Sequence, residues 1–398
     1  MESLNNFFNR FKKKEPVKKK PKITLHAHGW SADVRERLEE LISAESGNEQ
    51  PVVLDLDNTI LCRDIGEATF AMMEKDGTID LNSVPKDLAP DFIEKDTLIS
   101  LKPPLSLLQY YHHLTQATVH HSLDTAIEMI GYNWAVLVMQ GLTPQDIIKS
   151  TQKAFDGGSG KTELYKENID ISGGFLRPFF YPQMVELIGV LLKHNYDVWV
   201  ISSSNSWSVR WMLLKALNEQ LKNLDFDKLL LPTRVMGIST LLKGPDSKLY
   251  KDGFLVWENP KYAELDPLVL SKYVLSALVV PPVTASYGKV AEIMQWIGRP
   301  PYIVAGDSFG DIPMLQYAQN RLWLARLEHP QIQEYVAPLT IRKQEQHTWM
   351  IQPTLYKQSP GFIQNAADLN ERKTEDFQKV LKSMEIFDSY HLLKAFWS

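Results

Sequence analysis

Three short apolar runs of this 398-residue sequence each end in polar residues of types that could do chemistry. The residues are Asp55 and Asp57 after the first run, Ser202 after the second, and Asp307 and Asp311 after the third. Short apolar runs are typical of buried strands. Because the carboxyl ends of parallel strands meet at one edge of a sheet, we expect these side chains to lie together.

Such a cluster could attack the phosphorus of a phosphate monoester if cations offset its negative charge. Asp55 is the predicted nucleophile, and its attack would give an aspartyl phosphate that water then cleaves. Lys289 precedes the third run by one predicted helix, and is predicted to offset the charge of Asp55 and the phosphate. Asp57 is the predicted general acid and base, which protonates the leaving alkoxide and then activates water.

The same carboxylates predict a metal ion. Mg²⁺ is a hard cation that takes oxygen ligands and keeps several waters. Asp55 and Asp307 would supply carboxylates, and the backbone carbonyl of Asp57 would supply another oxygen. Asp311 is predicted to complete this metal group from behind the ion, with a helix N-cap as the alternative. Mg²⁺ is therefore the predicted cofactor.

Each of these residues also has an ordinary structural interpretation. An Asp-x-Asp pair after a strand is commonly a turn or a solvated strand end, and a serine there is commonly a helix cap. An isolated lysine is commonly a surface residue. The order of the residues along the chain favours the catalytic interpretation, because each lies where a parallel sheet would need it.

Strands alternate with helices along the chain, which predicts an α/β fold with a doubly wound parallel sheet. The predicted organisation is a flexible basic arm at 1–22, a core at 23–63 and 178–345, a helical insert at 64–177, and a tail with one helix at 346–398. The sequence indicates no role for that tail.

A local turn signal lies in the second half of the core. Asp252-Gly253 predicts a β-hairpin over residues 248–257.

Composition limits the class of protein. Charged residues make up 23% and the net charge is −5, so neither value indicates a nucleic-acid binder. Cys62 is the single cysteine, which excludes an intramolecular disulfide and fits either a reducing compartment or an exported protein with few cysteines. The sequence has neither an apolar run of the ~18 residues that a spanning helix needs nor a secretory apolar stretch. These features predict a cytoplasmic protein.

The basic arm has two interpretations. Leu4, Phe7, Phe8 and Phe11 would share one helical face beside lysines, which could make weak contact with a membrane surface. The alternative is a disordered tail, since helices this short are marginal alone.

The four motifs together resemble the haloacid dehalogenase superfamily of phosphohydrolases. They are residues 55–59 (Asp-Leu-Asp-Asn-Thr), Ser202, Lys289, and residues 306–311 (Gly-Asp-Ser-Phe-Gly-Asp). The resemblance covers residues 50 to 330. It implies Mg²⁺-dependent hydrolysis of phosphate monoesters on a Rossmann-like core, with the helical insert after the first strand as a cap. The residues implied for phosphate binding are Asn58, Thr59, Ser202 and Ser203.

Within that superfamily the chain looks like the phosphoserine phosphatase and bacterial phosphorylcholine phosphatase branch. Looser matches at Arg63, Asp64 and Glu67, and around residues 197–202, 209–210 and 235–238, suggest this branch. Asp64 and Glu67 are predicted to bind a cationic group of a small substrate such as phosphocholine, phosphoethanolamine or phosphoserine. Their alternative roles are a helix start and ordinary salt bridges.

Aromatic residues of the insert could assist this recognition. Rings can bind a quaternary ammonium group by cation–π attraction, and the candidates are Tyr110, Tyr111, Tyr132 and Trp134. The alternative is that these rings fill the core of the cap.

Two other functions stay open, namely a protein phosphatase acting on phosphotyrosine or phosphoserine, and a non-catalytic binding protein on the same fold.

Overall fold

A computed structural model describes residues 21–398, apart from residues 83, 95–96, 121–124, 157–169, 173–174, 343–345, 373, 375, 394–395 and 397–398. The apolar face predicted for the basic arm lies outside the described residues. Among the helices that are described, none is long and apolar enough to cross a membrane.

The first half of the chain contains an early helix, a first strand, a mainly helical stretch and a long strand. The helices are α1 (Ala32–Ala44), α2 (Ile65–Lys75), α3 (Leu107–His120), α4 (Thr125–Leu137), α5 (Pro144–Asp156) and α6 (Pro182–Lys193), with a 3-10 turn at Lys86–Leu88. The strands are β1 (Pro51–Leu54), β2 (Leu61–Cys62), β3 (Phe92–Glu94), β4 (Thr97–Ile99), β5 (Asp170–Ser172), β6 (Phe175–Leu176), β7 (Phe179–Phe180) and β8 (Asp197–Asn205).

The second half alternates more regularly. The helices are α7 (Ser206–Trp211), continued by a π-helical turn at Met212–Leu217, then α8 (Asn218–Asn223), α9 (Asp252–Glu258), α10 (Pro260–Ala263), α11 (Pro267–Leu270), α12 (Tyr287–Trp296), α13 (Ile312–Tyr317), α14 (Pro330–Thr340), α15 (Ala366–Glu371) and α16 (Phe377–Ser389). The strands are β9 (Val235–Ile238), β10 (Thr240–Lys243), β11 (Leu249–Tyr250), β12 (Val274–Val279), β13 (Ile303–Gly306), β14 (Asn320–Arg326), β15 (Trp349–Leu355) and β16 (Gly361–Phe362). Short 3-10 turns lie at Pro232–Arg234, Phe309–Asp311 and Gln346–Thr348.

The central sheet has the strand order β16-β15-β14-β13-β1-β8-β9 and is parallel except at β16. β1 lies inside it, where Val53 pairs with Val304 of β13 and with Trp199 of β8. Every residue of β1 and β13 is buried, as expected for parallel strands covered on both faces. The predicted α/β fold with a parallel central sheet is confirmed.

The side chains of β1 alternate between two apolar layers. Val52 and Leu54 pack in a cluster with Leu38 of α1, whereas Val53 packs on the other face with Val336 of α14. Burying one such side chain stabilises the fold by about 1.5–3 kcal/mol. The two layers therefore fix β1 in the middle of the sheet, together with the acidic residues that follow it.

The layer above the strand ends is built from two segments. The first lies within the predicted insert at 64–177 and contains α2 to α5. The second contains the three-stranded sheet of β10, β11 and β12, which shares one apolar cluster with the first. Leu275 of β12 exchanges backbone hydrogen bonds with Gly141 and Leu142, at 3.0 and 2.9 Å. We call the two segments together the cap layer. The second of them lies within the predicted core at 178–345.

The residues after 345 belong to the central sheet, so the predicted tail at 346–398 is wrong as a boundary. β15 pairs in parallel with residues 321–326 of β14, and β16 adds an antiparallel edge. The polar residues Gln352 and Thr354 interrupt the apolar pattern of β15, yet both are fully buried. Gln352 accepts a hydrogen bond from the backbone N–H of Ser31 and donates to the carbonyl of Ile363, at 2.9 and 3.0 Å. Because these partners of Gln352 lie outside the strand, the local sequence pattern does not show that this polar residue is buried.

The hairpin predicted over residues 248–257 is also wrong. Asp252 begins α9 instead of a turn, and its buried carboxylate accepts hydrogen bonds from Arg210 at 2.7 Å, Ser206 at 3.1 Å, and Tyr262. A buried charge needs such partners. Here tertiary contacts override the local turn preference of Asp-Gly.

Ending the chain after residue 345 is expected to prevent stable folding. The change would remove β15 and leave β14 as an uncovered edge strand, and it would also remove the apolar side of α16. Thermal unfolding followed by circular dichroism is expected to show no cooperative transition. Removal of residues 1–20, which include no predicted site residue, serves as the control and is expected to leave the transition in place. A cooperative transition in the shortened chain would contradict the assignment of β15 to the sheet.

Candidate active site

The order of the central strands brings three chemically active segments to one edge. β13, β1 and β8 are neighbours, Asp55 follows β1, Asp307 follows β13, and Ser202 lies in the last part of β8. The backbone N–H of Asp55 donates to the carbonyl of Ala305 at 3.0 Å. Strand pairing thus continues up to the first candidate catalytic residue.

Lys289 of α12 is a buried cation between two carboxylates. Its Nζ donates to Asp55 Oδ1 at 2.6 Å and to Asp311 Oδ1 at 2.7 Å, and the residue is only 2% exposed. Gly288 lets this turn approach its neighbours, because a Cβ there would lie 1.6 Å from the carbonyl oxygen of Val283. The structure thus brings together three residues that the sequence predicted as one group.

The three charges shift one another in different directions. Burial and the charge of Asp311 raise the pKa of Asp55 well above its ordinary value. Burial also disfavours the charged form of Asp311, but the charge and hydrogen bond of Lys289 lower the pKa of Asp311 overall. In spite of burial, Asp311 and Asp55 raise the pKa of Lys289. Lys289 is thus matched mainly by Asp311, and Asp55 needs further positive charge to stay ionised.

Asp307 is similarly short of compensating charge. Thr59 Oγ1 donates to Asp307 Oδ1 at 3.1 Å, and Arg326 Nε forms an ion pair with Asp307 Oδ2 at 2.8 Å. The angle of that ion pair is poor for hydrogen bonding, so Oδ2 has no aligned donor among the described residues. Burial raises the pKa of Asp307 to about 7, against the opposing effect of Arg326.

These carboxylates fit a divalent cation. One oxygen each of Asp55, Asp307 and Asp311 lies within 4.8 Å of the others, and all-oxygen donors suit Mg²⁺. Both oxygens of Asp311 are already engaged, because Oδ1 accepts from Lys289 and Oδ2 accepts from the backbone N–H of Asp307 at 3.1 Å. Asp311 therefore fits a position behind an ion held by Asp55 and Asp307. The side chain of Asp57 lies outside this group, so its predicted metal contact depends on its backbone carbonyl.

Asp57 is held at both oxygens. Its Oδ1 accepts from the backbone N–H of Ile65 at 2.7 Å, and its Oδ2 accepts from Ser204 Oγ at 2.7 Å and Ser202 Oγ at 3.2 Å. Burial raises the pKa of Asp57 to about 6 in spite of these hydrogen bonds. A carboxyl group in this range can give and take a proton near neutral pH. Ser204 is a further residue of this site, and its only signal in the sequence is the run of three serines at 202–204.

The predicted phosphate-binding residues fall into two pairs. Asn58 and Ser203 line a cavity at the strand ends. Thr59 and Ser202 are fully buried, and their hydroxyls contact Asp307 and Asp57 instead. The first pair lies where a bound phosphoryl group could be contacted directly, and the second pair supports the carboxylates.

Asp64 and Glu67 line the same cavity, and each also has a structural partner. Asp64 is the N-cap of α2 and accepts from the backbone N–H of Glu67 at 2.8 Å. Burial, together with the charge of Asp57, raises the pKa of Asp64 well above its ordinary value. Glu67 Oε2 lies 3.3 Å from His112 Nε2. Both acidic side chains therefore have a partner of their own while they line the cavity.

The four candidate aromatic residues of the insert fall into two pairs, one in the core of the cap layer and one on the cavity wall. Tyr110 and Trp134 each donate a hydrogen bond to a backbone carbonyl and pack inside the cap layer. Tyr111 and Tyr132 line the cavity. Of these four rings, two are thus placed to contact a substrate, and the other two fill the core.

The cavity has a volume of about 660 Å³, which is within the range of small-molecule sites. Its wall includes residues that the sequence analysis did not assign to the site, namely Arg326, His329, Tyr356 and Lys357. Neither β14 nor β15 was predicted, and these residues lie at or just after the ends of those strands. An arginine after the apolar residues of β14 was the only signal in the sequence.

Comparison with known proteins identifies the fold and no family. No family model matches the sequence, and no curated protein sequence matches it either. A conserved, functionally unknown protein from Anaerococcus prevotii DSM 20548 has 15% identity and a TM-score of 0.52, over 85% of this chain and 96% of that chain. This likeness shows a shared fold.

Weaker structural matches include a HAD family hydrolase from Salmonella enterica subsp. enterica serovar Typhi. It has 11% identity and a TM-score of 0.34, over 69% of this chain and 62% of that chain. A phosphoserine phosphatase, solved as a phospho-aspartyl intermediate analogue, has 12% identity and a TM-score of 0.35, over 76% of this chain and 92% of that chain.

Replacing Lys289 with methionine is expected to lower the free energy of unfolding by about 3–5 kcal/mol at pH 7, because Asp55 and Asp311 would be buried without their cation. The loss is expected to be smaller at pH 5. A carboxyl group whose pKa is raised in the folded state binds a proton there more readily than in the unfolded chain, so its destabilising effect falls as pH falls. Denaturant unfolding at the two pH values measures both effects.

The matched control for this variant is the exposed Lys272, replaced in the same way. Lys272→Met is expected to change the free energy of unfolding by less than about 0.5 kcal/mol. Equal losses for the two variants would contradict the role assigned to Lys289.

Proposed function

We propose that this chain is a Mg²⁺-dependent phosphatase that hydrolyses phosphate monoesters through an aspartyl phosphate on Asp55. The observation that supports this most is the position of Asp55, buried at the end of a central strand, 2.6 Å from Lys289 and clustered with Asp307. The residues and their order resemble those of haloacid dehalogenase phosphatases. Within that superfamily we favour the phosphoserine phosphatase and phosphorylcholine phosphatase branch.

In the first step, a carboxylate oxygen of Asp55 attacks phosphorus and the bond from phosphorus to the ester oxygen breaks. The leaving oxygen takes a proton from Asp57, whose raised pKa of about 6 leaves part of the population protonated near neutral pH. Lys289 offsets the charge on Asp55 and on the phosphoryl group. Asn58 and Ser203 line the cavity, and we assign them to the phosphoryl oxygens.

In the second step, the ionised Asp57 takes a proton from a water molecule. The water oxygen attacks phosphorus, the bond from phosphorus to Asp55 breaks, and inorganic phosphate leaves. Ser202 and Ser204 hold Asp57 in place through both steps. The same residue thus acts first as an acid and then as a base.

Mg²⁺ would be held by the carboxylates of Asp55 and Asp307 and by the carbonyl of Asp57, with Asp311 behind it. When bound, the ion supplies positive charge at the phosphoryl oxygens. This addition is consistent with the pKa values of Asp55 and Asp307, which burial raises in its absence.

The walls of the cavity support a small substrate with an amine or quaternary ammonium group. The cap layer contributes Glu67, Tyr111 and Tyr132 to the lining. A carboxylate and aromatic rings together can attract a cation, by charge and by cation–π contact worth about 0.5–2 kcal/mol. Phosphocholine, phosphoethanolamine and phosphoserine fit this chemistry.

Asp55→Asn is expected to lower kcat for p-nitrophenyl phosphate by on the order of a thousandfold or more, because the nucleophile is lost. Chelation of Mg²⁺ is expected to stop turnover by the unaltered chain, and Ca²⁺ should restore it poorly. Steady-state kinetics with and without each metal measures these effects.

The control is Asp246→Asn, an exposed carboxylate that pairs with Lys248; its turnover should match that of the unaltered chain. Substantial turnover by pure Asp55→Asn protein would exclude Asp55 as nucleophile. If the unaltered chain with Mg²⁺ does not hydrolyse the ester, the binding-protein alternative is favoured instead.

Phosphocholine and phosphoethanolamine are expected to have a higher kcat/KM than glycerol phosphate. Glu67→Gln should lower kcat/KM for the amine-bearing esters by about two- to fivefold, the range for a partly exposed ion pair, and should leave glycerol phosphate unchanged. Equal kcat/KM values for all three esters would contradict a cationic substrate. A clear preference for phosphotyrosine peptides would indicate a protein phosphatase.

A further inference from the structure

Arg326 is the last residue of β14 and forms part of the cavity wall. Its Nε faces Asp307 Oδ2 at 2.8 Å, and its side chain is 17% exposed. Within the described part of the chain, neither Nη group of Arg326 has a hydrogen-bond acceptor. A guanidinium group has five N–H donors in a fixed fork, so most of the donors of Arg326 remain available to a ligand in the cavity.

Besides Arg326, two other polar side chains lie close to the ring of Tyr356. The Cζ atom of Arg326 lies 5.7 Å from the centre of the Tyr356 ring, and Lys357 Nζ lies 5.8 Å from it. The imidazole of His329 stacks on the same ring at 5.1 Å between ring centres. All four residues line the cavity, which gives this wall two cations and an imidazole.

The backbone of this wall is held in place from both sides. Arg63 donates from Nε to the carbonyl of Tyr356 at 3.2 Å and from Nη2 to the carbonyl of Lys357 at 3.3 Å. The buried Glu328 Oε1 accepts from the backbone N–H groups of the same two residues, at 3.0 and 3.3 Å. A wall fixed in this way loses little conformational entropy when a ligand binds, which favours affinity.

The charges on this wall are only partly neutralised. Lys357 pairs with Asp376 at 2.5 Å, yet its side chain stays 43% exposed. Arg326 pairs with Asp307, which is also a predicted ligand of Mg²⁺, so a bound ion would compete for that carboxylate. His329 adds a neutral imidazole, because burial lowers the pKa of His329 to about 3.

We infer that Arg326, Lys357 and His329 form a second anion subsite, which binds a carboxylate or a second phosphate of the substrate while the transferred phosphoryl group lies at Asp55. The inference rests on the proposed function and, among the substrates named there, favours phosphoserine, which has a carboxylate in addition to its amine. A guanidinium fork beside an ammonium group is suited to either anion, because both present paired oxygens.

Equilibrium binding tests the subsite without depending on turnover. Titration calorimetry with Mg²⁺ and the Asp55→Asn protein would compare glycerol 3-phosphate, 3-phosphoglycerate and 1,3-propanediol bisphosphate. All three are three-carbon phosphate monoesters, and the second and third add a carboxylate or a phosphate. We expect at least one of these two to bind about tenfold more tightly than glycerol 3-phosphate, as for a charge-assisted hydrogen bond. The ligand that gains affinity identifies the anion.

Arg326→Gln and Lys357→Gln, each made in the same background, are expected to remove most of that preference. Arg326 touches Asp307, so its loss can also alter metal binding. Lys357 does not touch that residue, so its variant should keep the affinity for glycerol 3-phosphate within about twofold. The matched control is Lys379→Gln, because Lys379 pairs with the same Asp376 at 3.0 Å but does not line the cavity; it should keep the preference.

Equal affinity for the three ligands, or no binding of any of them, would overturn the subsite even if the unaltered chain hydrolyses p-nitrophenyl phosphate. A preference that survives Lys357→Gln and Arg326→Gln would overturn it as well. A preference that both variants remove, in a protein that hydrolyses no ester, would support the subsite and reject the phosphatase.

Discussion

The crowding of buried carboxylates at one edge of the sheet is the constraint on which the site depends. Asp55, Asp307 and Asp311 are buried there, and Asp57 is half-buried beside them. Like charges in such a place repel, and each loses its hydration. Lys289 and several hydroxyl and backbone donors offset only part of that cost, because the pKa values of Asp55, Asp57 and Asp307 stay raised. The cluster therefore fits a divalent cation, and Arg326 on the cavity wall already places one positive charge next to Asp307.

The sequence predicted the centre of this arrangement well because the topology is simple there. A parallel sheet brings strand ends together, so Asp55, Ser202 and Asp307 could be grouped from three apolar runs alone. The part of the cavity wall formed by Tyr356 and Lys357 was missed because β15, which precedes them, contains buried polar residues. Gln352 is satisfied by Ser31, 321 residues away, and no local pattern can show such a partner. Asp252 was misread for a similar reason, since Arg210 and Tyr262 decide its conformation.

The two segments of the cap layer are joined to each other, which limits how the cap layer can move. Backbone hydrogen bonds join Leu275 to Gly141 and Leu142, and a shared apolar cluster joins the rest. A cap that opens to admit substrate must move both segments together or break those bonds. The cap layer beside the cavity is thus held together by contacts between its own two segments.

The contact between Ser31 and Gln352 also bears on how the protein is made. The hydrogen bond joins residues that are 321 positions apart, and the ion pair between Lys289 and Asp55 joins residues that are 234 positions apart. At about 5–20 residues per second, a ribosome needs roughly 15–65 s to cover the first of these separations. Within that interval β8 is made well before β13, so β1 has only one of its two parallel neighbours until synthesis reaches Ile303–Gly306. The acidic cluster of Asp55, Asp307 and Asp311 therefore becomes compact only after Asp311 has been made, and chaperones can bind the nascent chain before then.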